Sequence, residues 1–257
     1  MTGTGTGADL ELALELADLA DGVTRPRFRA RDLHVETKPD LTPVTEADRN
    51  VEQALRERLT ATRPDDAVLG EEFGTTGTGV RRWIIDPIDG TKNFVRGVPV
   101  WASLVALEVD RTIAVGVVSA PALGRRWWAA RGQGAFADGA SIRVSAVADI
   151  DDAHLAYDSV AGWDTRGLET EFLDLARRCW RTRGFGDFWS HMLVAEGACD
   201  IAVEPQVALW DLAPLLVIVE EAGGRFTDLG GDARADGGSA VSTNALLHDE
   251  VLDAFRI

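Results

Sequence analysis

The feature that most constrains this chain is the run Trp83-Ile84-Ile85-Asp86-Pro87-Ile88-Asp89-Gly90-Thr91. Apolar residues ending in an Asp read as a strand that delivers a carboxylate to its C-terminal end. Pro87, with no N–H to donate, is expected to stop that strand, and Asp89-Gly90 supplies turn chemistry that re-aims the backbone. Two carboxylates three residues apart across a tight turn converge on one point. Unpaired, they repel and one stays protonated, so the usual reason to build such a pair is a hard divalent cation. The turn also leaves the N–H groups of Gly90 and Thr91 facing an anion, and metal carboxylates beside exposed amides suit a phosphate ester. Taken alone, the stretch reads equally as a strand and turn in which Asp is a cap.

At 257 residues the chain can form one large domain or two halves. Its 46% hydrophobic and 26% charged residues are those of a soluble globular protein. A net charge of −16 excludes a polyanion partner such as nucleic acid, which needs a basic track. Divalent cations invert the local field, so small phosphates remain open to it. Cys179 and Cys199 lack metal-ligand spacing and read as small buried hydrophobes. Residues 1–7 alternate Thr and Gly without a basic or apolar leader region and are expected to be a disordered tail. No apolar run approaches the ~20 residues that cross a bilayer, so a cytoplasmic protein without membrane contact is expected.

Leu10, Ala13, Leu14, Ala17 and Ala20 recur at helical spacing, with Gly22 as the expected stop. Asp40 to Val44 reads as extended; Thr45 then caps a helix whose buried face is Val51, Leu55 and Leu59, with Asp48 in its first turn. Asp48 there either completes a cap or does chemistry. A strand over 67–70 ends in Glu71-Glu72, a second strand-end carboxylate, and 75–79 reads as a Gly/Thr loop over the site. Hairpin and antiparallel patterns follow to Val144, an α+β arrangement for the first half, 8–147. From 148 to 257, strands and helices alternate, which implies an α/β layer on a largely parallel sheet. Asp211 is placed as N-cap of an apolar helix, with Pro214 in its first turn.

Gly70-Glu71-Glu72, Asp86-Pro87-Ile88-Asp89-Gly90-Thr91 and Trp210-Asp211, in this order, resemble the inositol monophosphatase family of metal-dependent phosphomonoesterases. The resemblance spans nearly the whole chain and implies that family's layered αβαβα sandwich. It implies that Glu71, Asp86 and the carbonyl of Ile88 hold one Mg²⁺, and that Asp86, Asp89 and Asp211 hold a second. Glu71 would help hold a third ion through water, and Mn²⁺ could replace Mg²⁺. Carboxylate and carbonyl oxygens suit such ions, and metals about 3.5–4 Å apart clamp both oxygens of an in-line displacement. The resemblance makes Thr91, Asp48 and Glu71 the catalytic group, with water oriented by Thr91 and Asp48, and Gly90 and Thr91 the phosphate contacts. It also implies inhibition by Li⁺ and a homodimer. Lys38 either supports the acidic site from behind or is solvated at the surface.

Arg183-Gly184-Phe185-Gly186-Asp187 departs from inositol-specific members, in which small residues follow the Arg. It is similar to the branch that hydrolyses histidinol phosphate, as are Arg96 to Trp101 and Trp127 to Arg131. The ammonium and imidazole of that substrate fit added carboxylates better than a neutral polyol does. Arg183, Asp187 and Glu204 are therefore the expected substrate contacts; an Arg183–Asp187 ion pair joining strand to helix is the structural alternative. Inositol-1-phosphate hydrolysis and non-catalytic phosphate binding are the competing functions. The histidines lack ligand spacing, and only His191, near Asp187, is a candidate for the substrate pocket. Trp127, Trp128, Trp163 and Trp180 suit either a dimer surface or the core.

Overall fold

The computed structural model describes residues 3–39 and 41–256. Helix α1 (Gly3–Arg27) is followed by a small hairpin, β1 (Val35–Thr37) and β2 (Pro43–Thr45), and by α2 (Glu46–Thr62). An eight-stranded sheet follows: β3 (Ala67–Gly70), β4 (Gly74–Thr76), β5 (Arg81–Asp89), β6 (Ala102–Val109), β7 (Thr112–Ala120), β8 (Arg125–Ala130), β9 (Ala135–Ala137) and β10 (Ala140–Ile142). The short helix α3 (Thr91–Arg96) interrupts it after β5.

The second half holds β11 (His154–Tyr157), α4 (Ala161–Arg166), α5 (Glu169–Arg178), β12 (Arg181–Gly184), α6 (Asp187–Ala195), β13 (Ile201–Glu204) and α7 (Leu209–Glu221). It closes with β14 (Arg225–Thr227), β15 (Ala240–Thr243) and α8 (His248–Ala254). The second sheet runs β12-β11-β13-β15-β14.

Period-two patterning sorts the layers. Trp83 and Ile85 face α1 and α2, packing with Leu12, Leu16, Val51, Leu55 and Leu59. Ile84, between them, faces the other way and joins the cluster of Phe188, Met192, Leu212 and Leu216 from α6 and α7. The outer face of the second sheet carries Leu155, Ile201 and Val203 against Trp163, Phe172 and Val251 of α4, α5 and α8. The result is an αβαβα sandwich. Each fully buried side chain of this kind contributes roughly 1.5–3 kcal/mol. Helix α7, from the second half, packs on β7 of the first so closely that a Cβ on Gly116 would lie 2.7 Å from Pro214 O. The halves on either side of Val147 therefore share one core.

Several expectations need correction. Residues 3–7 are helical, because extending a packed helix costs less than nucleating one. Gly22 does not stop α1, whose face from Leu12 to Thr24 is buried; Pro26 sits in its last turn instead. Met1, Thr2 and Asp40 lie outside the described residues. Gly74–Thr76, at the start of the supposed loop, is an edge strand antiparallel to β3. The second sheet is mixed: β11 is parallel to β12 and β13, whereas β15 is antiparallel to β13 and β14. Trp127 and Trp163 belong to the core, while Trp180 is 68% exposed. Both cysteines are free and buried, as expected. No helix among the described residues is long and apolar enough to cross a membrane.

Candidate active site

Pro87 does not end β5. Asp86 is registered with Leu104 and Asp89 with Ala102, so three steps on β5 oppose two on β6. In a regular strand, residues three apart point to opposite faces; the extra residue of this bulge returns Asp86 and Asp89 to the same side. Pro87, which cannot join a ladder, is tolerated there, and its carbonyl accepts from Ser103 Oγ at 2.6 Å. Gly90 then takes φ 80° and caps α3. A Cβ at Gly90 would lie 3.0 Å from Val100 O and 3.2 Å from Asp187 Oδ2, so both its conformation and its surroundings require glycine.

Asp211 comes from the far half. The N-cap of α7 is Ala208, and Asp211 occupies the third helical position, where its Oδ2 accepts from Ala208 N at 2.9 Å. It closes the cap from inside the helix, which corrects the N-cap assignment. Pro214 correspondingly lies in the second turn and removes the amide that would bond the Trp210 carbonyl.

Asp86, Asp89 and Asp211 bring carboxylate oxygens within 4.8 Å of one another. Burial and the neighbouring carboxylates push Asp86 and Asp89 well above the usual carboxylate range. Asp211 is pushed up to about 7, chiefly by burial. Convergent hard oxygen donors that repel one another are the donor set of Mg²⁺ or a similar cation, and the residues fit it.

Glu71 lines the same cleft and raises the carboxyls of both Asp86 and Asp211. Lys38 Nζ bridges Glu71 Oε1 at 2.7 Å and Glu72 Oε1 at 2.6 Å, so it supports the acidic site rather than facing solvent alone. Behind them lies Glu52, which sequence reasoning missed. Wholly buried, its carboxylate accepts from Glu72 N at 2.7 Å, Phe73 N at 3.1 Å and Arg56 Nε at 2.8 Å. Only glycine at position 70 leaves room for it, since a Cβ there would meet Glu52 Oε1 at 2.1 Å.

Asp48 completes the cap and also reaches Thr91. Its Oδ2 completes the cap, accepting from Thr45 N at 2.8 Å and Thr45 Oγ1 at 2.6 Å. Its Oδ1 lies 3.3 Å from Thr91 Oγ1, which is also 2.8 Å from the Ile88 carbonyl. Burial raises the Asp48 carboxyl above its ordinary value.

The cleft, about 720 Å³, runs from Glu71 and Thr91 past Asp86, Asp89 and Asp211 to Asp158, Asp187 and Glu204. Asp187 adopts φ 50°, accepts from Asn93 Nδ2 at 2.9 Å, and is pushed up to about 7 by burial and by Asp158 and Glu204. Asp158 was missed; an isolated Asp after a short strand carries no signal of its own. Arg183 is exposed, bonds Thr182 O at 2.7 Å and is absent from the cleft lining. It forms no ion pair with Asp187 among the described residues: β12 is the edge of its sheet, and the guanidinium folds back on its own strand to the Thr182 carbonyl. His191 lies behind the cleft wall, fully buried against Glu204.

The histidinol-phosphatase of Mycobacterium tuberculosis is 63% identical over 251 residues, 95% of this chain and 96% of that protein. The histidinol-phosphatase of Streptomyces coelicolor is 54% identical, with 95% of each covered. Among solved structures, an inositol monophosphatase from Zymomonas mobilis superposes with a TM-score of 0.89 at 32% identity, covering 99% of this chain and 100% of that one. The family model described as "Inositol monophosphatase family" matches residues 8–256. With that match running through all three motifs, and the fold gathering their carboxylates into one cleft, this chain belongs to the inositol monophosphatase family.

Proposed function

We propose that this protein hydrolyses L-histidinol phosphate to L-histidinol and inorganic phosphate, a step of histidine biosynthesis, with Mg²⁺ as its cation. The observation that carries the substrate is the far end of the cleft, where Asp158, Asp187 and Glu204 gather beyond the metal carboxylates. Three acids against the single cation of Lys92 suit a leaving alcohol that bears an ammonium and an imidazole, whereas a neutral polyol would leave the excess negative charge unbalanced. The names of the two most identical relatives described above agree with this reading.

Asp86, Asp89 and Asp211, with Glu71 and the Ile88 carbonyl, would hold two or three Mg²⁺ or Mn²⁺ ions. Such ions acidify water and neutralise charge on a phosphoryl group. The chain's own residues do the rest. Thr91 donates its single hydroxyl hydrogen to Asp48 or to the Ile88 carbonyl, which leaves oxygen lone pairs to accept from a water and aim it. Asp48, raised by burial, is suited to take up a proton. Glu71 flanks the same water site, and Gly90 and Thr91 present the start of α3 to the phosphate. Glu204 and Asp187 face the leaving alcohol. Arg183, exposed on its own protomer, is assigned no contact.

The protein is further inferred to act in the cytoplasm as a homodimer, and to be inhibited by Li⁺; family resemblance supports these, and the exposed Trp180 is a surface for subunit contact. The decisive experiment is a panel of phosphomonoesters with Mg²⁺. Histidinol phosphate should give the highest kcat/KM, above inositol 1-phosphate and glycerol phosphate. A preference for inositol 1-phosphate would overturn the substrate assignment, and phosphate binding without turnover would overturn the enzyme assignment.

A further inference from the structure

His191 is wholly buried in α6, yet its ring ends on a residue of the cleft. Its Nε2 lies 3.2 Å from Glu204 Oε1, and its Nδ1 lies 2.7 Å from Ser242 Oγ. All three side chains are buried, with His191 and Ser242 fully so. An ionised carboxylate only accepts, so Nε2 carries the hydrogen in this contact. In the neutral ring Nδ1 is then the acceptor, and the Ser242 hydroxyl, which donates to it, selects that tautomer. Phe226 packs against the imidazole at a centroid distance of 5.7 Å and is the ladder partner of Ser242. The ring is thus held by a hydroxyl and an aromatic on adjacent strands.

Glu204 needs such a partner. It stands among Asp89, Asp158, Asp187 and Asp211, each of whose carboxyls it pushes toward the protonated form. The repulsion is mutual, and a donor at one oxygen both offsets it and fixes where the other oxygen points. An apolar side chain would fill the same space in α6 without the cost of burying two ring nitrogens. His248 provides the contrast: it too is buried with both nitrogens bonded, but to Thr227 and Thr243, neither of which lines the cleft. Asp187 and His191 are four residues apart on α6, hence on one face. The helix addresses the cleft twice, once directly and once through Glu204.

We propose that His191, braced by Ser242, is a positioning residue that keeps the Glu204 carboxylate turned into the cleft to receive the cationic part of the leaving alcohol. This rests on the substrate reading above. The test measures kcat and KM for histidinol phosphate and glycerol phosphate, with the melting temperature, in wild type, His191→Leu, His191→Gln, Glu204→Gln and the His191→Leu/Glu204→Gln double variant. His191→Leu should lower the ratio of the two kcat/KM values about tenfold, mainly through KM for histidinol phosphate. His191→Gln, which keeps a donor, should restore most of it. The double variant should show the ratio of Glu204→Gln alone, since the histidine acts through the glutamate. Equal losses on both substrates, or additive effects, would overturn the proposal. Should His191→Leu not fold, Ser242→Ala removes only the brace: a severalfold drop in the ratio supports the proposal and an unchanged ratio overturns it. A wild type that does not favour histidinol phosphate refutes the substrate reading instead. The double-variant comparison is then read on whichever ester it prefers, where additivity still overturns the role of His191.

Discussion

The amide of Phe188 donates to Asp89 Oδ2 at 2.7 Å, joining the first turn of α6 to the bulged end of β5. The residue before it, Asp187, is held at φ 50°. The acid proposed to face the substrate and one acid of the three-aspartate cluster are therefore set by one short stretch of backbone. Asn tolerates that conformation far better than most residues, so Asp187→Asn tests charge alone. It should lower kcat/KM for histidinol phosphate about tenfold more than for glycerol phosphate, the worth of a charge-assisted contact. Asp187→Val adds backbone strain at the Phe188–Asp89 link and should cut turnover of both esters.

Asp89→Asn keeps an acceptor for the Phe188 amide but removes a charge from the three-aspartate cluster. Turnover in saturating Mg²⁺ should fall at least about a hundredfold. Without metal the variant should melt higher than wild type, because a buried like charge has gone. Near-normal activity would refute the metal assignment.

Stability without metal should depend on pH in a defined direction. Asp187 and Asp211 are raised from 3.8 to about 7 by burial, so between those values the folded chain binds more protons than the unfolded one. Their contribution to stability is then greatest at the acid side and is lost as pH rises through about 7, outweighing His248, which is lowered to about 4 and contributes in the opposite sense. Mg²⁺ competes with those protons, and its increment in melting temperature should be larger at pH 8 than at pH 5. Thermal scans with chelator and with Mg²⁺ measure both; a larger increment at the acid pH would contradict the scheme.

Thr91→Ala should lose about a hundredfold or more in kcat while Mg²⁺ binding persists, and Thr91→Ser should recover much of it. A rise confined to KM would make Thr91 a phosphate anchor and leave the water to another base.

Gly70→Ala tests the support behind Glu71. With Glu52 Oε1 2.1 Å from the added carbon, the buried carboxylate must move and release the Glu72 and Phe73 amides. Half-saturation by Mg²⁺ should rise about tenfold, with about 1–3 kcal/mol lost in denaturant titration. Unchanged metal affinity would show that Glu71 is positioned independently of Glu52.

Strand-end acids after apolar runs, and the capped helix at Thr45, were legible because each is a local pattern: Ile84-Ile85-Asp86 and Thr45-x-x-Asp48 announce themselves within a few residues. The bulge was not, since it exists only relative to β6, and Pro87 by itself reads as a terminator. Glu52 and Asp158 were illegible for the same reason: Glu52 looks like any helix acid until Gly70 is beside it, and His191, singled out by its nearness to Asp187, gave no sign that it lies behind Glu204. Arg183 is the one expected substrate contact that does not line the cleft, because where an edge-strand side chain reaches is set by its neighbours and not by its own sequence.

The helix that carries Asp211 seals the core between the two sheets, and this makes the proposed cation site a readout of synthesis. A nascent chain that has emerged only as far as β10 owns Asp86 and Asp89, but not the third aspartate, nor the amide that steadies the second. Such an intermediate has no reason to sequester a divalent ion or to cleave a passing phosphate. On the proposed assignment, catalytic competence arrives only with the last layers of the sandwich.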